Sequence, residues 1–128
     1  MTAERGLREA LAAQYRRMEQ LGLNELSSGN LSVRAGNRML ISATGATAAS
    51  VSADSLVSCS LDGEFDGNAK PSSEWQMHAG IYQLCPDAQA VVHTHSDACV
   101  ALASHQQPLP GFHYLVGTFG GTDVPCVP

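Results

Sequence analysis

The sequence predicts an α/β domain on three observations. Apolar residues recur at three- and four-residue steps near the start, at Leu7, Leu11, Tyr15, Met18 and Leu21, which is the spacing of one helix face. Short apolar runs bounded by Gly, Asn and Asp follow at 31–34, 39–42 and 56–61, the pattern of strands joined by turns. A second helical stretch, from Ser72 to about residue 84, leads into the β-branched pair Val91-Val92. At 128 residues the chain makes at most one ordinary domain. A domain of that size buries roughly two-thirds of its surface.

The first helix is expected over 3–21, with Thr2 as N-cap, Gly22 as its stop and charged residues on the outer face. A polar turn, 24–30, then enters the strand 31–34. Ala35-Gly36-Asn37-Arg38 reads as a hairpin connection and 39–42 as the return strand. That hairpin places Thr44-Gly45 at the same sheet end as Gly29-Asn30. Ser52-Ala53-Asp54 reads as one helical turn, 56–61 as a third strand and 65–69 as irregular. Pro71-Ser72 signals a helix start with Ser72 as N-cap. The helix ends at Cys85-Pro86. After the strand at 90–95, Ser96 should cap a helix over 97–104. Residues 109–116 read as strand or short helix, 120–123 as a turn, and 124–128 as the start of a strand.

Composition narrows the function. Net charge is −5, with six of seven Lys and Arg in the first 40 residues and no basic run. That argues against nucleic acid as a partner and against an anionic membrane surface. No apolar stretch approaches the ~20 residues of a membrane span, and the N-terminus lacks a signal's apolar core. Aromatics are only 5%, so the core is built from small residues. Cys59, Cys85, Cys99 and Cys126 form no C-x-x-C pair. They are expected to be buried thiols in a reducing, cytoplasmic compartment.

Three stretches carry chemistry. His93-Thr94-His95 would place two imidazoles on one face of a strand, roughly 7 Å apart at the backbone. Long planar side chains converge from that spacing onto one divalent ion; a strand cap beside a solvated histidine is the plainer alternative. Ser72, Ser73 and Glu74 open a helix, where unpaired amides and the dipole favour an anion. The alternative there is a simple cap with a dipole-matched carboxylate. The turns at Gly29-Asn30 and Thr44-Gly45 either merely turn or form an oxyanion cradle.

The ordered set Gly29-Asn30-Leu31-Ser32, Ala43-Thr44-Gly45, Pro71-Ser72-Ser73-Glu74, His93-Thr94-His95 and Gly120-Gly121 resembles the class II aldolase/adducin family, most of all its L-fuculose-phosphate aldolase branch. The resemblance implies an α/β fold with a largely antiparallel central sheet flanked by helices, residues 1–128 being the N-terminal part of one such domain. It implies zinc or another divalent ion on His93 and His95, with Glu74 beside the metal as acid/base carboxylate. It assigns Asn30, Thr44, Gly45, Ser72 and Ser73 to a substrate phosphate. Tyr114 matches a tyrosine that reaches a neighbouring subunit's site and donates a proton, in homotetramers. The family's third histidine ligand matches nothing in 1–128, so the chain reads as a member cut short at its C-terminus with weakened zinc binding. Among His78, His105 and His113, His78 lies one helical turn after Glu74 and is the nearest replacement.

The implied activity is retro-aldol cleavage of a phosphorylated ketose. A related epimerase, dehydratase or sugar-acid-phosphate decarboxylase is the second reading, although Glu74 stands where epimerases tend to carry Asp. A non-catalytic adducin-like module is the third.

Overall fold

The computed structural model describes residues 3–127. The chain divides into two compact units, 1–94 and 95–128. In the first, helix α1 (Ala3–Gln20) is followed by strands β1 (Asn30–Ala35), β2 (Arg38–Ile41) and β3 (Val57–Ser60), helix α2 (Trp75–Leu84) and strand β4 (Ala90–His93). The four strands form one antiparallel sheet in the order β3-β2-β1-β4, the α/β architecture expected.

Strand alternation divides the sheet into two apolar faces. Leu31 and Leu40 face α1 and join Leu11, Ala12, Tyr15 and Met18 in one buried cluster. Met39, Ile41, Val57, Cys59 and Val91 face α2 and pack with Ala79 and Tyr82 in the other. The register places Ser32 opposite Ile41 and Val91, and Asn30 opposite His93. Residues two apart share a face, so Asn30 and Ser32 are polar positions on the α2 side of the sheet. The 3-10 turn Ala53–Ser55 has Ser52 as N-cap in a capping box. Arg8 of α1 donates to its flanking carbonyls at Ala53 and Leu56.

Gly29 is required by close approach. A Cβ there would lie 2.1 Å from Asn24 Oδ1 and 2.6 Å from the His93 carbonyl oxygen. Only hydrogen lets the entry to β1 meet the end of β4.

Three expectations are corrected. β4 stops at His93 and Thr94-His95 is irregular, so strand alternation does not place His95 on the face of His93. As an edge strand β4 is also half-covered: Val91 is buried, but Val92 is 59% exposed. Helix α2 begins at Trp75, not Ser72. The reason is a tight turn in which the Trp75 N–H donates to the Ser72 carbonyl and the Glu74 N–H to Ser72 Oγ. Of the four thiols, only Cys59 is buried; Cys85 and Cys99 are exposed and Cys126 is half-buried.

The second unit contains helix α3 (Asp97–Ser104), with Ser96 at its N-cap position but making no side-chain cap bond. A 3-10 helix spans Tyr114–Phe119, and an isolated antiparallel bridge joins Leu109 to Val124. The stretch 109–116, expected as strand or short helix, thus carries the bridge at Leu109 and the start of the 3-10 helix, and of the strand expected over 124–128 the described residues show only the bridge at Val124.

Candidate active site

Two neighbouring features of the first unit make up the candidate site. The first is a small anion-sized hollow. The Thr44 N–H donates to the Lys70 carbonyl at 3.0 Å and the Ser72 N–H to the Ser42 carbonyl at 2.9 Å, while Ala43 bridges Pro71. These bonds zip the segment after β2 to the segment before α2. Thr44, Phe65, Lys70, Pro71, Ser72, Ser73 and Trp75 thereby line a concavity of about 260 Å³. Gly45, next in sequence to Thr44, has φ +70, a left-handed conformation that favours glycine. Tyr15 secures the loop from below, its hydroxyl lying 2.6 Å from the Ala46 carbonyl and 3.1 Å from that of Gly29. Helical periodicity marks Tyr15 only as a core residue and gives no sign of that second task.

Lys70 is the residue that spacing did not single out. It stands immediately before Pro71 and brings the one ammonium group to the hollow's lining. The helix start is less open to an anion than anticipated. The N–H groups of Glu74, Trp75, Met77 and His78 are closed onto Ser72 and Glu74. Donors for an anion therefore come mainly from the hydroxyls of Thr44, Ser72 and Ser73 and from Lys70.

The second feature centres on Glu74. Its Oε2 accepts from Asn30 Nδ2 at 2.7 Å and contacts His93 Nδ1 closely. An ionised carboxylate only accepts, so in that state of Glu74 His93 carries a proton on Nδ1, and as a neutral ring it keeps a lone pair on Nε2. Asn30, expected in the phosphate cradle, instead has its amide turned between Glu74 and His78, its Oδ1 lying 2.5 Å from His78 Nε2. His78 is fully buried, with Nδ1 2.7 Å from Ser32 Oγ. Both its ring nitrogens are engaged, so the suggestion that it replaces a missing metal ligand is set aside. Burial pushes the His78 pKa down to about 4; a charged His93 nearby adds to this and the Glu74 carboxylate opposes it.

His95 is half-buried and opens the second unit. Tyr114, also there, is 80% exposed. Glu74 and His93 bring together a carboxylate and an imidazole, the N/O chemistry that zinc takes. Among the described residues, however, no group of three or more His, Cys, Asp and Glu is arranged to hold a metal ion. The donors fit in kind and fall short in number. No helix of the described residues is long and apolar enough to cross a membrane.

With this geometry in view, comparison with known proteins defines the class. Residues 9–128 match the Class II Aldolase and Adducin N-terminal domain, and the chain belongs to that family. It is 44% identical over 118 residues to a 5-methylthioribulose-1-phosphate/5-deoxyribulose-1-phosphate aldolase of Rhodospirillum rubrum, covering 92% of this chain and 53% of the relative. It is 41% identical over 111 residues to an L-fuculose phosphate aldolase of Haemophilus influenzae, covering 87% of this chain and 51% of the relative. A solved L-fuculose 1-phosphate aldolase superposes with a TM-score of 0.86 at 28% identity, covering 98% of this chain and 59% of that one. The fold is thus that of the class II aldolases, and the chain spans about half the length of the relatives it matches.

Proposed function

We propose that this chain carries the acid/base and phosphate-binding half of a metal-dependent lyase that cleaves a phosphorylated ketose by retro-aldol chemistry. The observation that carries the proposal is the convergence of Asn30, Glu74 and His93 from three elements onto one carboxylate oxygen, next in sequence to the serines of the hollow. Its relatives among the aldolases of 5-methylthioribulose 1-phosphate and L-fuculose phosphate support it.

In this reading the substrate's phosphate sits against Thr44, Gly45, Ser72 and Ser73, with Lys70 supplying positive charge. Binding energy there orients the reacting carbons. Asn30 and His93 hold Glu74 in one orientation. Its carboxylate removes the hydroxyl proton whose loss lets the carbon–carbon bond break, and returns a proton to the carbon that has gained the electron pair. Zinc or another divalent ion, held by His93 and His95 with Glu74 adjacent, would act as a Lewis acid toward the charge developing on the ketone oxygen. Tyr114 would serve as a proton donor in a neighbouring subunit of a homotetramer; its exposure and that of Phe112 and Phe119 support a surface used for assembly. Residues 1–128 would form part of a single aldolase domain. A cytoplasmic site suits the four unpaired cysteines.

The test is product analysis with a panel of ketose 1-phosphates and sugar-acid phosphates. Cleavage to an aldehyde and dihydroxyacetone phosphate, lost in Glu74→Gln and His93→Ala, supports the proposal. Turnover of either variant at the wild-type rate overturns it. Epimerised, dehydrated or decarboxylated products would assign the second chemistry of the family instead. A non-catalytic module, the third reading, predicts no turnover of any substrate.

A further inference from the structure

A buried file of polar side chains runs behind Glu74. The Tyr82 hydroxyl lies 2.8 Å from Ser32 Oγ. Ser32 Oγ lies 2.7 Å from His78 Nδ1, and His78 Nε2 lies 2.5 Å from Asn30 Oδ1. Asn30 Nδ2 then donates to Glu74. All four residues behind the carboxylate are at least 95% buried, so water does not substitute for a missing partner. At its open end the file reaches β4, where Glu74 contacts His93.

We infer that His78 is a positioning residue: as a donor from Nε2 it fixes the amide of Asn30 with its NH2 toward Glu74. The direction follows from the inventory of donors and acceptors. The ionised carboxylate of Glu74 only accepts, so the Asn30 NH2 faces it and the Asn30 oxygen faces His78; the Ser32 proton then goes to His78 Nδ1 and the Tyr82 proton to Ser32. The imidazole proton then resides on Nε2 and goes to Asn30 Oδ1, leaving Asn30 Nδ2 to donate to the carboxylate. Every proton has an acceptor. The reverse direction would set the amide oxygen of Asn30 against the carboxylate oxygen and leave the Tyr82 proton buried without an acceptor. Each such defect costs about 1–3 kcal/mol, so one orientation dominates. The spacing is built in: Asn30 and Ser32 are two apart on a strand, and Glu74, His78 and Tyr82 are four apart along α2 and its N-cap, so two matching rows face each other.

The orientation itself is independent of the aldolase reading; its effect on turnover rests on that reading. Long-range 1H–15N correlation of the histidine rings tests the orientation in the wild-type chain at neutral pH. A protonated Nε2 and a bare Nδ1 at His78 are expected, and the opposite tautomer overturns the inference. His78→Gln, which restores a donor near Nε2, and His78→Phe, which does not, test the consequence. With a ketose phosphate that the protein cleaves, kcat should fall about 10–100-fold in His78→Phe, the range for groups that orient a site's ligands. KM should stay within about twofold, and Gln should recover part of the loss. Equal losses in both variants, or a change in KM alone, would overturn it. If the wild type cleaves no ketose phosphate, the aldolase reading fails and the ring-nitrogen measurement decides the orientation by itself.

Discussion

Gly29 and His78 show what single residues contribute. Gly29→Ala would drive a methyl group into Asn24 and the His93 backbone. The expected cost is about 1–3 kcal/mol, read as a lowered urea midpoint, and an unchanged midpoint would contradict the described approach of β1 and β4. His78 makes stability depend on pH. Its pKa is about 4 when folded, against 6.5 for an ordinary histidine. The unfolded chain therefore takes up that proton first as pH falls. The stabilisation is fully present above 6.5 and is lost on descending to 4, on the order of 3 kcal/mol in all. Urea unfolding at pH 7 and pH 4.5 should show a smaller loss in His78→Gln than in the wild type, because other carboxylates titrate alike in both; parallel losses would contradict it. The motif order singles out Glu74 and His93 together, and the structure brings the two side chains into contact. The turn of Asn30 toward Glu74 is not legible, because it depends on which side chain α2 brings above β1.

Elements were legible where one periodicity ruled and illegible where two signals competed. The stripe from Leu7 to Leu21 predicts α1 almost to its ends, and Gly36-Asn37 predicts the β1–β2 hairpin. Ser72 resembles an N-cap, but its hydroxyl closes a turn one step earlier, so α2 starts later. The histidine pair resembles the end of a strand, but β4 has pairing only on its β1 side and stops at His93. The hold of β1 on the end of α2 is likewise absent from any pattern. Arg34 lies over the Tyr82 ring at 4.7 Å and donates to the carbonyls of Tyr82 and Ala88, each at 2.9 Å. It satisfies acceptors that a helix end leaves open. Arg34→Met should cost about 1–3 kcal/mol and speed amide exchange at 82–88. Unchanged exchange there would mean the guanidinium does not anchor the helix end.

For the whole molecule, belonging to the class II aldolase family settles the architecture, while the spread of donors shapes what the chain does alone. His93 and His95 are two imidazoles where the family resemblance implies three, Glu74 is engaged at His93 Nδ1, and catalytic zinc ordinarily rests on three protein ligands. Metal analysis after gel filtration should therefore find well under one zinc per chain; tight stoichiometric zinc would contradict this. The proposed binding of metal at His93 and of phosphate at the neighbouring loops is tested most directly by a crystal structure grown with millimolar zinc and inorganic phosphate. The account predicts anomalous zinc density against His93 Nε2, with phosphate between Thr44-Gly45 and Ser72-Ser73. Zinc bound away from His93, or phosphate bound away from those loops, would contradict it.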